Sequence, residues 1–201
     1  MPSDRAEAGK PEEAEDDTLP ESVLIAPLAP NAYEAARALI AAELGAGYVT
    51  LGDVRTHADR EGGCGFVAMI GDRVCGVVLA GPATPRDVKA AARARLKLPG
   101  PAAEVHTIAV APDARRRGVA RRLLTRALAS LAEQGFADTL AVVWLSGANE
   151  STALFRSAGF TSVGKSPRHW YEDSIARGYD CPLCGNPCRC DAELWVLHPQ
   201  P

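Results

Sequence analysis

The spacing of apolar positions changes along the chain, and the changes mark out its elements. Ser22-Val23-Leu24-Ile25-Ala26 alternates like a strand, and Asn31 is placed to cap an Ala-rich helix that runs to about Gly45. A second helix is expected over residues 51–60. Two apolar β runs, 65–70 and 74–79, flank the turn Gly71-Asp72-Arg73 and predict an antiparallel hairpin. Residues 85–96 are rich in Ala and Arg without a strong apolar stripe, the pattern of a mobile surface helix or loop.

Beyond residue 100 the periods alternate. Val105-His106-Thr107-Ile108-Ala109-Val110 is a strand, 111–117 a turn, 118–134 an amphipathic helix and 140–144 a strand, which together make a βαβ unit. A helix over 149–157 stops at Gly159, a strand starts at Phe160, and residues 192–197 are again extended. The sum is an α+β (mixed α/β) fold: a mostly antiparallel central sheet with one βαβ crossover, a final hairpin and flanking helices, in one domain over 23–201.

Composition changes this picture little. The chain has 201 residues, 47% of them apolar, which is ordinary for one globular domain. No run approaches the roughly 18 uninterrupted apolar residues of a membrane helix, and the first residues lack the basic start and apolar stretch of a secretory signal, so a cytoplasmic protein is expected. Charge is more informative. Residues 1–22 carry eight acids against two bases, so the formal net charge of −3 divides into about −6 on this segment and +3 on the rest. The segment has too few large apolar side chains to order itself and is expected to be a disordered acidic tail. The mildly basic body suits an anionic ligand such as a nucleotide cofactor, and falls well short of the basic stripe of a nucleic-acid binder.

The turn Arg115-Arg116-Arg117-Gly118-Val119-Ala120 opens a helix, where unpaired N–H groups and the positive end of the helix dipole suit a diphosphate. Small residues at 118 and 120 let phosphate oxygens approach the backbone, although three arginines there also fit a solvated turn. With the preceding strand ending Ile108-Ala109-Val110 and then Pro112, this stretch resembles the GNAT acetyltransferases, whose pattern Arg/Gln-x-x-Gly-x-Gly/Ala is filled by Arg115, Gly118 and Ala120. A second element, Asn149-Glu150-Ser151-Thr152-Ala153-Leu154-Phe155 running to Gly159-Phe160, is similar to that family's Asn-x-x-Ala-x-x-Leu-Tyr-x-x-x-Gly-Phe. The resemblance implies acetyl-CoA as cosubstrate, held by residues 108–110 and 115–120 with Asn149 and Phe155, and an N-acetyltransferase activity. Asn149 also fits a plain helix cap, and Phe155 stands where the family often has a tyrosine that protonates the leaving thiolate.

Amine acetylation needs a base to collect a proton and a backbone N–H to polarise the thioester carbonyl. Glu104 and His106 lie two apart on one strand, hence on one face, and are expected to point to the same side as Ile108 and Val110. His106 matches the position of a basic histidine in the family's arylalkylamine acetyltransferases; a hydrogen-bonded structural histidine is the alternative. Tyr171, in Arg168-His169-Trp170-Tyr171, matches an acidic tyrosine on the late hairpin of the ribosomal-protein N-terminal acetyltransferases, which the second half resembles. That branch also has a carboxylate where this chain has Trp144, so its substrate does not carry over.

Cys181, Cys184, Cys188 and Cys190 crowd into ten residues, with the Cys-x-x-Cys-Gly step of a knuckle. Four thiolates leave a zinc ion no open position, so a structural Zn2+ in a knuckle over 178–191, inserted into the final hairpin, is expected rather than a catalytic one. Two disulfides, a redox pair or an iron–sulfur cluster are the alternatives. Cys64 and Cys75 fit small core residues. The leading expectation is an N-acetyltransferase for a small-molecule amine or a protein N-terminus, without membrane or nucleic-acid partners and with room for a homodimer. An acyl-CoA-binding module without turnover and a transferase acting on charged tRNA are the rivals, the last opposed by the charge pattern.

Overall fold

The computed structural model describes residues 23–145 and 150–198; the acidic segment 1–22 and Asn149 lie outside them. Seven strands form one sheet: β1 (Leu24–Pro27), β2 (Cys64–Ile70), β3 (Arg73–Pro82), β4 (Ala102–Val110), β5 (Asp138–Trp144), β6 (Thr161–Ser166) and β7 (Ala192–Leu197). Their spatial order is β1-β2-β3-β4-β5-β7-β6. Every neighbouring pair is antiparallel except β4 and β5, which are parallel. The expected mixed sheet with one crossover and a closing hairpin is therefore present.

Helices cover both faces. α4 (Val119–Glu133) supplies the crossover, and its Val119, Leu123, Leu124, Ala127 and Leu131 are buried against β2, β3 and β4. The approach is close because of Gly76: a Cβ there would sit 2.9 Å from both Leu123 Cδ1 and Val119 Cγ1. α5 (Glu150–Ser157) adds Phe155 to this cluster. On the opposite face α1 (Tyr33–Leu44) and α2 (Leu51–Asp59) bury Ala36, Ile40 and Val54 against Val67, Val77, Leu79 and Ala109. α2 begins with a full capping box, Thr50 and Asp53 each bonding the other's backbone N–H.

Three local expectations are corrected. Asn31 does not cap α1; it lies in a 3₁₀ turn, Pro30–Ala32, started by a proline whose fixed φ suits a first turn, and α1 follows without a side-chain cap. Residues 85–96 do not form a loose surface piece. α3 (Pro85–Arg93), capped by Thr84, buries Ala90 and Ala91 against Leu140, Leu194 and Val196, a stripe too small-sided to stand out in sequence, and it also buries Asp87. Between β6 and β7 a short helix, α6 (Tyr171–Arg177), precedes the cysteine-rich segment where only a hairpin connection was expected. Among the described residues no helix is long and apolar enough to cross a membrane.

Candidate functional site

β4 and β5 pair over only four positions, from Ala102 with Asp138 to Val105 with Ala141. Beyond that point residues 106–110 and 142–144 are not paired with each other, which leaves strand backbone groups free for a ligand. A cavity of about 130 Å³ sits in this wedge, lined by both strands and closed by Tyr48, Phe155, Trp170 and Tyr179 among others. Its size suits the reacting ends of two small groups. A nucleotide has to lie outside it.

At the far end of β4 the chain turns into α4. Gly118 occupies the N-cap position in the left-handed region (φ 73°) with no side-chain cap, and Arg116 also has positive φ (60°). The first rung of the helix is donated by Arg122 N to Gly118 O (3.0 Å), so the N–H groups of residues 119–121 precede the ladder. Arg116 and Arg117 are exposed beside this open end. Arg115 is engaged elsewhere: its Nε donates to Val110 O (3.1 Å) and its terminal nitrogen bonds the Glu43 carboxylate on α1. Of residues 108–110, Ile108 lines the cavity, while Ala109 packs into the α1–α2 side.

His106 is an extra residue in β4. Leu79 pairs with Thr107 and Ala80 with Val105, so His106 has no partner on β3 and forms a bulge. The bulge overturns one expectation. Ile108 and Val110 face the α4 side, whereas the His106 ring stacks on His57 of α2 (centroids 4.3 Å apart) on the opposite side, with Nδ1 3.6 Å from Glu104 Oε2. Burial, reinforced by His57, pushes the His106 imidazole down to about 3, and burial lowers His57 to about 4. Both rings are neutral near pH 7. His106 Nε2 is buried without a hydrogen-bond partner among the described residues.

Beneath His106 lies a buried charged network that sequence reasoning missed. Asp87, fully buried, bonds the Thr84 hydroxyl, takes Arg86 Nε at 3.2 Å and has His169 Nε2 at 2.9 Å, the last off the line of the ring N–H. Glu104 accepts from Thr84 N (3.3 Å). Burial, then the Asp87 carboxylate, raises Glu104 well above the usual carboxylate range. Burial alone would raise Asp87 too, but contacts from His169, Glu104, Arg86 and Thr84 outweigh it and hold Asp87 low. The two carboxyls are coupled, with Asp87 pushed toward its charged form and Glu104 toward its protonated one. Arg86 reaches on to Asp173 (3.2 Å), which accepts from the Tyr179 hydroxyl (3.0 Å).

Tyr171 opens α6 under the Arg168 guanidinium, 5.9 Å from its ring centroid, and does not line the cavity. Tyr48 and Tyr179 do, edge to face at 5.4 Å. The Tyr48 ring keeps some exposure, but its hydroxyl is enclosed, and burial pushes it up to about 12. No local motif marks Tyr48, His57, Asp87 or Tyr179.

The Sγ atoms of Cys181, Cys184, Cys188 and Cys190 lie within 4.8 Å of one another. Nearest separations are 3.5, 3.7 and 3.9 Å. A tetrahedral ion with metal–sulfur bonds of about 2.3 Å requires sulfurs about 3.8 Å apart, so the set fits a zinc-sized thiophilic ion. Arg189 N donates to Cys184 Sγ (3.1 Å), the kind of N–H support a thiolate ligand uses.

Comparison with known proteins bears on the fold. No curated protein matches the sequence. Among solved structures the chain is similar to the ribosomal-protein-S18-alanine N-acetyltransferase from Escherichia coli, at 19% identity over 88% of this chain and 94% of that one, with TM-score 0.61. It is similar also to an N-acetyltransferase from Staphylococcus aureus Mu50 (17% identity, 88% and 98% covered, TM-score 0.62) and to Ard1 from Thermoplasma volcanium (17%, 89% and 99%, 0.62). At such identities the likeness is one of fold. The sequence pattern of the acetyltransferase (GNAT) family matches residues 33–160, more than half of the chain, and the protein belongs to that family.

Proposed function

We propose that the protein transfers the acetyl group of acetyl-CoA to a primary amine carried by a small molecule or a protein N-terminus. The observation that carries the reading is the wedge between β4 and β5, which opens a small cavity and leads along β4 to the uncapped start of α4. The coenzyme diphosphate would take the N–H groups around Gly118–Ala120, with Arg116 and Arg117 beside it; Arg115 would contribute backbone only, since its guanidinium is occupied. The pantetheine arm would run along residues 108–110 with Phe155 beneath it, and a backbone N–H of that stretch would polarise the thioester carbonyl.

The amine nitrogen attacks the thioester carbon, the new C–N bond forms, the C–S bond breaks, and one amine proton has to leave. His106, which lines the cavity and whose Nε2 is buried without a partner among the described residues, is the receiver. Glu104, with Oε2 3.6 Å from Nδ1, orients the ring and favours its charged form, so it acts as a positioning residue. Tyr48, protonated and in the cavity wall, replaces Tyr171 as the hydroxyl that hydrogen-bonds the departing sulfur. The four cysteines would hold one structural Zn2+.

Calorimetry with acetyl-CoA, followed by turnover with a panel of amines and N-terminal peptides, tests the reading. Absence of acetyl-CoA binding to folded, metal-loaded protein overturns it. Tight binding with no acetylation of any amine favours an acyl-CoA sensor instead.

A further inference from the structure

We propose that the four-cysteine metal site forms the wall of the acceptor half of the cavity, so that metal occupancy governs the acceptor side while leaving the coenzyme side intact. The proposal rests on the transferase reading for the words acceptor and coenzyme; the coupling itself does not.

Two of the four ligands, Cys181 and Cys188, line the cavity together with Tyr179 and Trp170. The knuckle is tied to its surroundings by directed bonds. Asn186 Nδ2 donates to Ser174 O (2.8 Å) and to Tyr179 O (3.0 Å), and Cys188 N donates to Ser174 Oγ (2.8 Å). His169 N donates to Cys190 O (3.2 Å), and Arg168 N to the Asp191 carboxylate (2.9 Å). From Tyr179 the contacts continue through Asp173, Arg86 and Asp87 to Glu104, the partner of His106. The metal site thus stands at one end of a run of polar contacts that leads through Asp173 and Arg86 to Asp87, beside Glu104 and His106.

Apolar burial contributes little to holding the segment itself. Between α6 and β7 the side chains buried are Tyr179 and the ligands Cys181 and Cys188, while Pro182, Leu183 and Cys184 at the knuckle tip are exposed, Leu183 at 62%. A loop with so little apolar burial gains its order from an ion that gathers four thiolates, and without it four thiols have no strong reason to converge. The open end of α4 shares none of these bonds: Gly118 meets Arg122 within its own helix, and Arg115 reaches to Val110 and Glu43. Loss of the ion therefore loosens Trp170, Tyr179 and the charged network, and spares the diphosphate site.

The test uses the full chain. Metal analysis of protein purified without chelator is expected to find one zinc per chain, released when the four thiols are titrated with an organomercurial. Zinc-loaded and chelated protein are then compared by amide hydrogen exchange and by acetyl-CoA calorimetry. Removing zinc is expected to speed exchange about tenfold or more in residues 168–181, with α4 and the acetyl-CoA Kd changed less than about threefold. If the chelated chain unfolds, Asn186→Ala supplies the second arm, because it cuts the ties to Ser174 and Tyr179 and keeps all four ligands. It should keep its zinc, show the same selective loosening of 168–181, and raise KM about tenfold for whichever panel amine turns over. No bound metal, uniform loosening that includes α4, or an Asn186→Ala variant with unchanged exchange at Tyr179 overturns the proposal. Failure of every amine to turn over counts against the transferase reading alone, since exchange and calorimetry still decide the coupling.

Discussion

The buried histidine pair makes a quantitative prediction about acid stability. Replacing His106 with Gln removes one titrating group from a site that keeps it neutral. In the unfolded chain an imidazole titrates near 6.5; in the fold burial and the neighbouring His57 bring His106 down to about 3. Below pH 6.5 the unfolded state therefore binds a proton that the native state refuses, and native stability falls as pH falls, most steeply between the two values. Around pH 5.5 one such group costs about 1.2 kcal/mol per pH unit, and from pH 7 to pH 5 about 2 kcal/mol in total. Urea unfolding of wild type and His106→Gln at pH 7, 6 and 5 reads the difference, in which Glu104, Asp87 and the thiols largely cancel. Wild type should lose about 2 kcal/mol relative to the variant over that range. Parallel curves, within about 0.5 kcal/mol, would mean that the folded ring titrates normally, and the account of a dry, neutral base in the wedge would fail.

Three further outcomes follow from the same geometry. Gly118→Ala places a Cβ on a left-handed residue at the mouth of α4, and should cost about 1 kcal/mol in thermal unfolding and weaken acetyl-CoA about tenfold by calorimetry. Asp87→Ala leaves Arg86 and Glu104 without their shared buried partner; a loss of about 3–5 kcal/mol, seen as a Tm lower by about 10 °C, is expected. Tyr48→Phe keeps the ring packed on Tyr179 and removes only the hydroxyl, so kcat should fall about tenfold to hundredfold while acetyl-CoA Kd and Tm stay near wild type.

What could be read from the sequence is what is local. The turn at 115–120 and the cysteine run declare themselves because each is built by neighbouring residues. The crossover around α4 is legible from its periodicity alone. The arrangement around His106 is not, for two physical reasons. A single inserted residue in β4 defeats the period-two rule, so strict alternation sends Ile108 and Val110 to the wrong face. The charged network joins α3, β4 and the β6–β7 connection, three stretches far apart in sequence, and Asp87 and Asp173 taken singly look like ordinary surface charges. The buried face of α3 is hidden for a related reason: alanines pack well without producing a hydrophobic stripe.

The four-pair contact between β4 and β5 has a mechanical consequence. It makes the sheet two panels, β1 to β4 and β5-β7-β6, hinged along a short seam, whereas β3 meets β4 over seven pairs and β5 meets β7 over six. A long thin molecule laid in the gap touches both panels and stitches them, so ligand binding should stiffen the far panel even where nothing contacts the ligand.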